Sequence, residues 1–282
     1  MTHVLHYTAF SDDPAGGNRA GVVLDAAALD DPRMLAIAAE VGYSESAFVT
    51  PGPDGAPRSF TVRFFSPKAE VDFCGHALVA TSVALAERDG AGDFLFHSVV
   101  GPVPVTVTER DGTLRATLTS VEPRVREVAA ADLDEALAAL RWSRAELDEA
   151  LPPRIAFGGN DHLVLAAATR ERLADLDYDF GRLLALMERL RLTTVQLVWR
   201  ESETVFHARD PFPVGGVVED AATGAAAAAF GGYVRALDLV PSDARFTIHQ
   251  GHDMGSPSLL EVELRAGDPR VRVSGAATKV EH

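Results

Sequence analysis

Arg63-Phe-Phe-Ser-Pro-Lys-Ala-Glu70 runs through Val71-Asp-Phe-Cys-Gly-His76 into an apolar stretch that continues to Arg88. This stretch decides the fold because it has an echo. Arg209-Asp-Pro-Phe-Pro213 leads to Glu219 and then to Gly224, which opens a second apolar, Ala-rich stretch. In both copies Glu lies five residues before the opening glycine, although the loop from Pro to Glu is three residues longer in the second. Upstream, Gly17-Asn18 precedes Val22-Val-Leu24, and Gly159-Asn160 precedes Leu163-Val-Leu165. Three matches in one order, about half a chain apart, point to an internal duplication.

Periodicity fills in the halves. Alternating or β-branched runs predict strands at His3–Phe10, Ala20–Leu24, Ser46–Thr50, Phe60–Phe65, Asp93–Ser98 and Val103–Thr108, and, after an Asp111-Gly112 turn, at Leu114–Thr119. Further strands are expected at His162–Ala167, Thr194–Arg200, Glu203–Ala208, Phe246–Gln250, Ser258–Arg265 and Arg270–Ser274. Helices are expected at Asp31–Val41, Leu133–Leu140 and, with Ser143 as cap, Ser143–Leu151. Gly75–Arg88 and Gly224–Leu237 are apolar on nearly every face and should be buried. The expectation is an α+β protein of two pseudo-symmetric lobes, each a curled mixed sheet or barrel around one central helix.

Composition bounds the function. The 282 residues suffice for a real core, and a net charge of −15 argues against nucleic acid or an anionic membrane as partner. One cysteine permits no internal disulfide, the start lacks a signal-peptide pattern, and no run approaches the roughly 20 apolar residues that span a bilayer. These features predict a cytoplasmic protein.

If the halves face each other, two glycine-started helices point into one cleft, where free backbone N–H groups suit a carboxylate or an enolate-like oxygen. The plainer reading is that Gly75 and Gly224 only let buried helices pack closely.

These residues resemble the signature of the PhzF-like family of phenazine biosynthesis. The match runs through Arg63 to Thr81, Tyr43-Ser-Glu-Ser-Ala-Phe-Val49, Gly17-Asn18, Glu219-Asp-Ala-Ala-Thr-Gly224, and Gln250-Gly251 with Ser256-Pro-Ser258. The resemblance implies the diaminopimelate-epimerase-like fold, with residues 1–118 and 268–282 in the first lobe and 119–267 in the second. It also implies a homodimer that uses no metal or organic cofactor and acts as an isomerase on a small anionic or zwitterionic substrate.

By the same resemblance Glu45 is the acid/base group. A carboxylate partly shielded from water can both take a proton from carbon and return it. His76 and Asp220 correspond to the family's histidine and aspartate at the two helix starts. Asn18, Gly75, Thr223, Gly224, Ala225, Gln250 and Gly251 correspond to substrate-contacting positions. The plainer readings are a turn role for Glu45 and helix capping for Asp220. The chain departs from the family at Ala221, Ala225 and Arg19, where Pro, Ser and Pro are usual, which bears on substrate more than on fold.

Cys74 sits where related two-cysteine epimerases carry one thiol, but no thiol occupies the second position, expected around Ala221 and Ala222. A helix start would make Cys74 reactive, yet free cysteines often serve as small buried hydrophobes. A metal site finds little support. His249 and His252 are loosely spaced, and His3, His6, His97, His162 and His207 are scattered. A protein that binds an amino or carboxylic acid without turning it over is the alternative from outside enzymology.

Overall fold

In a computed structural model describing residues 2–281, the chain divides into two units. One comprises residues up to Thr119 and those from Ser274 onward; the other is Ser120–Val273.

The first unit contains β1 (Leu5–Ala9), β2 (Asn18–Val23), α1 (Asp31–Val41), β3 (Glu45–Pro51), β4 (Ser59–Phe65), β5 (Glu70–Val71), α2 (Gly75–Asp89), β6 (Gly92–Ser98), β7 (Gly101–Arg110) and β8 (Thr113–Thr119). The second contains β9 (Arg124–Glu127), α3 (Ala130–Leu140), β10 (Arg154–Phe157), β11 (Asp161–Ala166), α4 (Arg170–Ala174), α5 (Phe180–Leu190), β12 (Thr194–Arg200), β13 (Val205–Pro211), β14 (Glu219–Asp220), α6 (Gly224–Ala236), β15 (Ala244–Gln250) and β16 (Ser258–Arg265). The last strand, β17 (Asp268–Lys279), begins in the second unit and ends in the first.

Among the described residues, β1, β2, β3, β4, β6, β7, β8 and the end of β17 close into an eight-stranded barrel, with β17 pairing back to both β8 and β1. Helix α2 fills it. From His76 to Ala86 every residue is buried, which is why the helix shows no polar face. Leu78, Val79, Val83 and Leu85 are wholly inside, each worth roughly 1.5–3 kcal/mol of transfer free energy. Thr81 and Ser82 fit there because their hydroxyls donate to the Ala77 and Leu78 carbonyls at 2.7 Å. Outside, α1 is capped by Asp30, whose carboxylate accepts from the Arg33 N–H, and ends at Gly42 in the left-handed region.

The second unit repeats the pairing rules strand for strand. In each, an antiparallel pair (β1–β2, β10–β11) is followed by a parallel one (β2–β3, β11–β12), then antiparallel (β3–β4, β12–β13) and parallel again (β4–β6, β13–β15). Helix α6 packs against β9, β10, β11 and β16. Its small residues permit close approach: a Cβ at Gly231 would lie 2.7 Å from Val271, and one at Gly232 would lie 2.3 Å from Pro123. The duplication read from the Arg and Glu echoes is therefore present at the level of strand pairing.

The same register explains the echo. Arg63 on β4 holds Glu70 on β5 through two 2.7 Å hydrogen bonds, two residues before the Phe65–Glu70 cross-strand pair. Arg209 on β13 holds Glu219 on β14, again two residues before the Pro211–Glu219 pair. Each Arg–Glu clamp pins the chain just before its helix start.

Three differences from the sequence expectation have physical causes. Ser143–Leu151 is not a helix. Glu146 completes a capping box with Ser143, but only one 3-10 turn, Arg144–Glu146, forms before Leu147 turns extended and Pro152-Pro153 follow. Helix α5 was not anticipated, although Asp179 caps it and Leu183, Leu186 and Met187 share its buried face. Strand β10 is only four residues long, too short for alternation to declare itself.

Candidate active site

In the first unit the start of α2 gathers the proposed proton-handling groups. Glu45 is the first residue of β3, and Cys74 immediately precedes α2 without a side-chain capping bond. His76 is buried, as are Cys74 and Asn18. The Asn18 amide lies 3.2 Å from His76 Nδ1. An amide nitrogen can only donate, so Nδ1 of the neutral ring accepts and Nε2 carries the proton. That Nε2 faces Glu45 Oε2 at 3.5 Å and Ser44 Oγ at 3.4 Å. These separations are longer than those of well-formed hydrogen bonds. The Cys74 thiol sits 3.7 Å from Glu45 Oε2 and 3.3 Å from His76 Nδ1.

Glu45, Cys74 and His76 are thus one cluster, with ligand-type atoms all within 4.8 Å of one another. Because the Leu78 N–H is the first to bond back to the Cys74 carbonyl, the N–H groups of Gly75, His76 and Ala77 have no acceptor within the helix. A carboxylate, a hydrogen-bonding imidazole and a helix start together can hold an anion and move a proton beside it.

The second unit's helix start is built differently. Thr223 Oγ1 donates to Asp220 at 2.7 Å, and Gln250 accepts from the Thr223 N–H at 3.1 Å. The Gln250 amide donates to the Asp220 carbonyl and to Thr223 Oγ1, both at 2.9 Å. Thr223, Asp220 and Gln250 therefore form one network around Gly224. Gly251 has φ +75°, and a Cβ there would come within 2.2 Å of the Ser256 carbonyl and 2.7 Å of that of Ala221, so its lack of a side chain serves close packing.

The repeated register makes the two starts counterparts in sequence and strand pairing. With Arg63 equivalent to Arg209 and Gly75 to Gly224, Cys74 corresponds to Thr223 and His76 to Ala225, and, through β3 and β12, Glu45 corresponds to Thr194. The second thiol position thus falls at Thr223, not at the Ala221-Ala222 pair expected from sequence. Only the first unit carries a carboxylate, an imidazole and a thiol at these positions.

At the place of Glu45 the second unit instead buries a polar chain. His162 Nδ1 lies 2.8 Å from Thr194 Oγ1, and that hydroxyl donates to Asp210 at 2.8 Å. A hydroxyl has one proton, so His162 must be the Nδ1–H tautomer. Burial lowers the His162 pKa to about 3. Burial also pushes the Asp210 carboxyl well above its ordinary range, opposed by the Thr194 hydroxyl and reinforced by Asp220 and Glu219. A raised carboxyl stabilises the fold fully below the unfolded value near 4 and loses that contribution as pH rises through the folded value. Asp210→Asn is therefore expected to gain stability over wild type as pH goes from 5 to 9, by up to about 1.4 kcal/mol per pH unit. Denaturant melts at four pH values check this; a difference constant with pH would contradict it.

The architecture defines the class: an α+β protein of the diaminopimelate-epimerase-like fold. Residues 7–282 match the PhzC-PhzF family model, described as phenazine biosynthesis-like protein. An uncharacterised isomerase from Mesorhizobium japonicum is 33% identical over 98% of this chain and 96% of its own. A trans-2,3-dihydro-3-hydroxyanthranilate isomerase from Pseudomonas aeruginosa is 29% identical over 93% of this chain and 90% of its own. The solved structure of a predicted epimerase, also from Pseudomonas aeruginosa, superposes with a TM-score of 0.86 at 27% identity, covering 100% of this chain and 98% of that one. The chain belongs to the PhzF-like isomerase and epimerase family. Among the described residues, no helix is long and apolar enough to cross a membrane.

Proposed function

We propose that the chain is an isomerase that moves a proton within a small, carboxylate-bearing, cyclic-amino-acid-like substrate using its own side chains and backbone N–H groups, without a cofactor. The observation that carries this is the asymmetry between the two helix starts. Glu45, His76 and the free N–H groups at Gly75 form a proton-transfer set in the first unit, and the counterpart residues Thr194, Ala225 and Gly224 do not. One base that takes and returns a proton on the same face fits one such set; two opposed thiols would need a second cysteine at Thr223.

In this reading the Glu45 carboxylate removes a proton from a carbon next to a carboxylate or conjugated system. The electron pair passes into that system, and the charge on its oxygen is met by His76 Nε2–H and the Gly75 N–H. Protonated Glu45 then returns the proton to another carbon of the same system. Asp220, Thr223, Gly224, Ala225, Gln250 and Gly251 are assigned to substrate binding, as is Asn18, which also fixes the His76 tautomer.

The test is incubation of the protein in deuterated buffer with a panel of cyclic amino and carboxylic acids. Deuterium gained at carbon, read by mass spectrometry, supports the reading; binding without exchange would favour the non-catalytic alternative.

Cys74 touches both Glu45 and His76, and this contact favours one second reading: a thiol that shares the proton transfer. Cys74→Ala separates the two. The isomerase reading expects exchange to stay within about threefold of wild type, whereas a thiol acting as acid or base should cost 10²-fold or more.

A further inference from the structure

The parallel pairing of β13 with β15 sets His207 directly beside His249, and the turn after Gly251 brings His252 to the same place. The ring centres of His207 and His249 are 5.1 Å apart, those of His249 and His252 are 5.3 Å apart, and those of His207 and His252 are 6.4 Å apart. Residue spacing alone hides this trio, since His207 joins it only through strand register.

A metal provides the yardstick. An imidazole nitrogen about 2.0–2.1 Å from Zn²⁺ puts its ring centre about 3.2 Å from the ion, so two tetrahedral imidazole ligands have centres about 5 Å apart. Two of the three ring-centre separations are near that value, and the His207 and His249 rings, stacked with 22° between their planes, have to turn for their nitrogens to meet on one ion. The third is set by His252, the exposed member, on a 3-10 turn, and its ring has to swing inward for the three nitrogens to converge.

An outer group is in place as well. Glu201 Oε2 lies 2.5 Å from His207 Nε2. A carboxylate there accepts the Nε2 proton and leaves Nδ1 as the ligand atom, the carboxylate–histidine arrangement that orients metal-bound imidazoles. Asp253 and Arg170, the charges beside His252, hold each other at 2.8 Å.

We propose that His207, His249 and His252, with Glu201 as the orienting carboxylate, form a site for an imidazole-preferring divalent transition metal (Zn²⁺, Ni²⁺ or Cu²⁺), separate from the cluster at Glu45. The proposal does not rest on the isomerase reading and would survive its failure.

Trp199 supplies the probe, its ring 5.3 Å from that of His207. The test titrates chelator-stripped full-length protein with Ni²⁺ or Cu²⁺ at pH 7.5 while following tryptophan emission, and with Zn²⁺ by calorimetry. Saturable binding of one ion is expected, with quenching that disappears in Trp199→Phe and tighter binding of Cu²⁺ than of Ni²⁺. His249→Gln and the exposed His252→Gln should each weaken binding at least tenfold, and Glu201→Gln about tenfold. Cys74→Ala/His76→Gln should leave quenching and affinity unchanged. The His252 variant keeps the test open if the half-buried His249 variant fails to fold. Unsaturable binding, wild-type affinity in the histidine variants, or loss of binding in Cys74→Ala/His76→Gln would overturn the proposal.

Discussion

Glu45→Gln is expected to lower carbon–deuterium exchange about a thousandfold for any panel acid that wild type exchanges, within the range ascribed to one positioned acid/base group. The substitution keeps the shape and hydrogen-bonding reach of the side chain and removes only its basicity. Glu45 opens a strand with its side chain 16% exposed, and its contacts with His76 at 3.5 Å and Cys74 at 3.7 Å are ones an amide oxygen can keep, so the melting behaviour should barely move. That separates loss of chemistry from loss of fold. Glu45→Asp is a useful companion. It retains a carboxylate but withdraws it by one methylene, so it should fall between the two, because misplacing a reacting group by about 1 Å costs on the order of 10²-fold. Exchange by Glu45→Gln within twofold of wild type would remove Glu45 from the mechanism and return attention to Cys74.

Much of the architecture could be read from the chain because the duplication left local marks. The Arg–Glu clamp recurs at 63/70 and 209/219, and each copy precedes a glycine-started apolar helix; a helix apolar all round has nowhere to go but the inside of a sheet. What sequence could not supply is register. That Glu45 and Thr194 are counterparts follows only from the paired β2–β3 and β11–β12 ladders, and the stretch from Thr194 to Arg209, three residues shorter than that from Glu45 to Arg63, obscures it when the two arginines are aligned. The same holds for His162, Thr194 and Asp210, which lie on three successive strands, and for His207 beside His249. Helix α5 is a different case. Its capping Asp179 and its Leu183, Leu186, Met187 and Leu190 spacing are helix signals carried by the chain itself, in the segment between β11 and β12.

The two clamps also make the sharpest stability comparison in the molecule: their positions are matched, their burial differs, and Arg63 keeps a second carboxylate, Asp31 at 2.6 Å, when Glu70 is lost. The Arg209 and Glu219 side chains are 9% and 6% exposed, those of Arg63 and Glu70 29% and 36%. Arg209 also donates to the Ala174 carbonyl at 2.6 Å, which fixes its guanidinium in place when its partner is lost. Removing one member of a buried pair strands the other charge away from water, whereas an exposed pair is screened and its survivor rehydrates. Glu219→Gln should therefore destabilise the protein by about 3 kcal/mol, and Glu70→Gln by less than about 1 kcal/mol. Denaturant melts of the two variants side by side measure the contrast. The double replacement Arg209→Met/Glu219→Leu should recover most of the loss, since it leaves no uncompensated charge behind. Equal losses from Glu219→Gln and Glu70→Gln would mean that burial does not govern the clamps. A double replacement no better than the single would mean that the ion pair itself, rather than the avoidance of a stranded charge, holds β13 to β14 ahead of the Gly224 helix start.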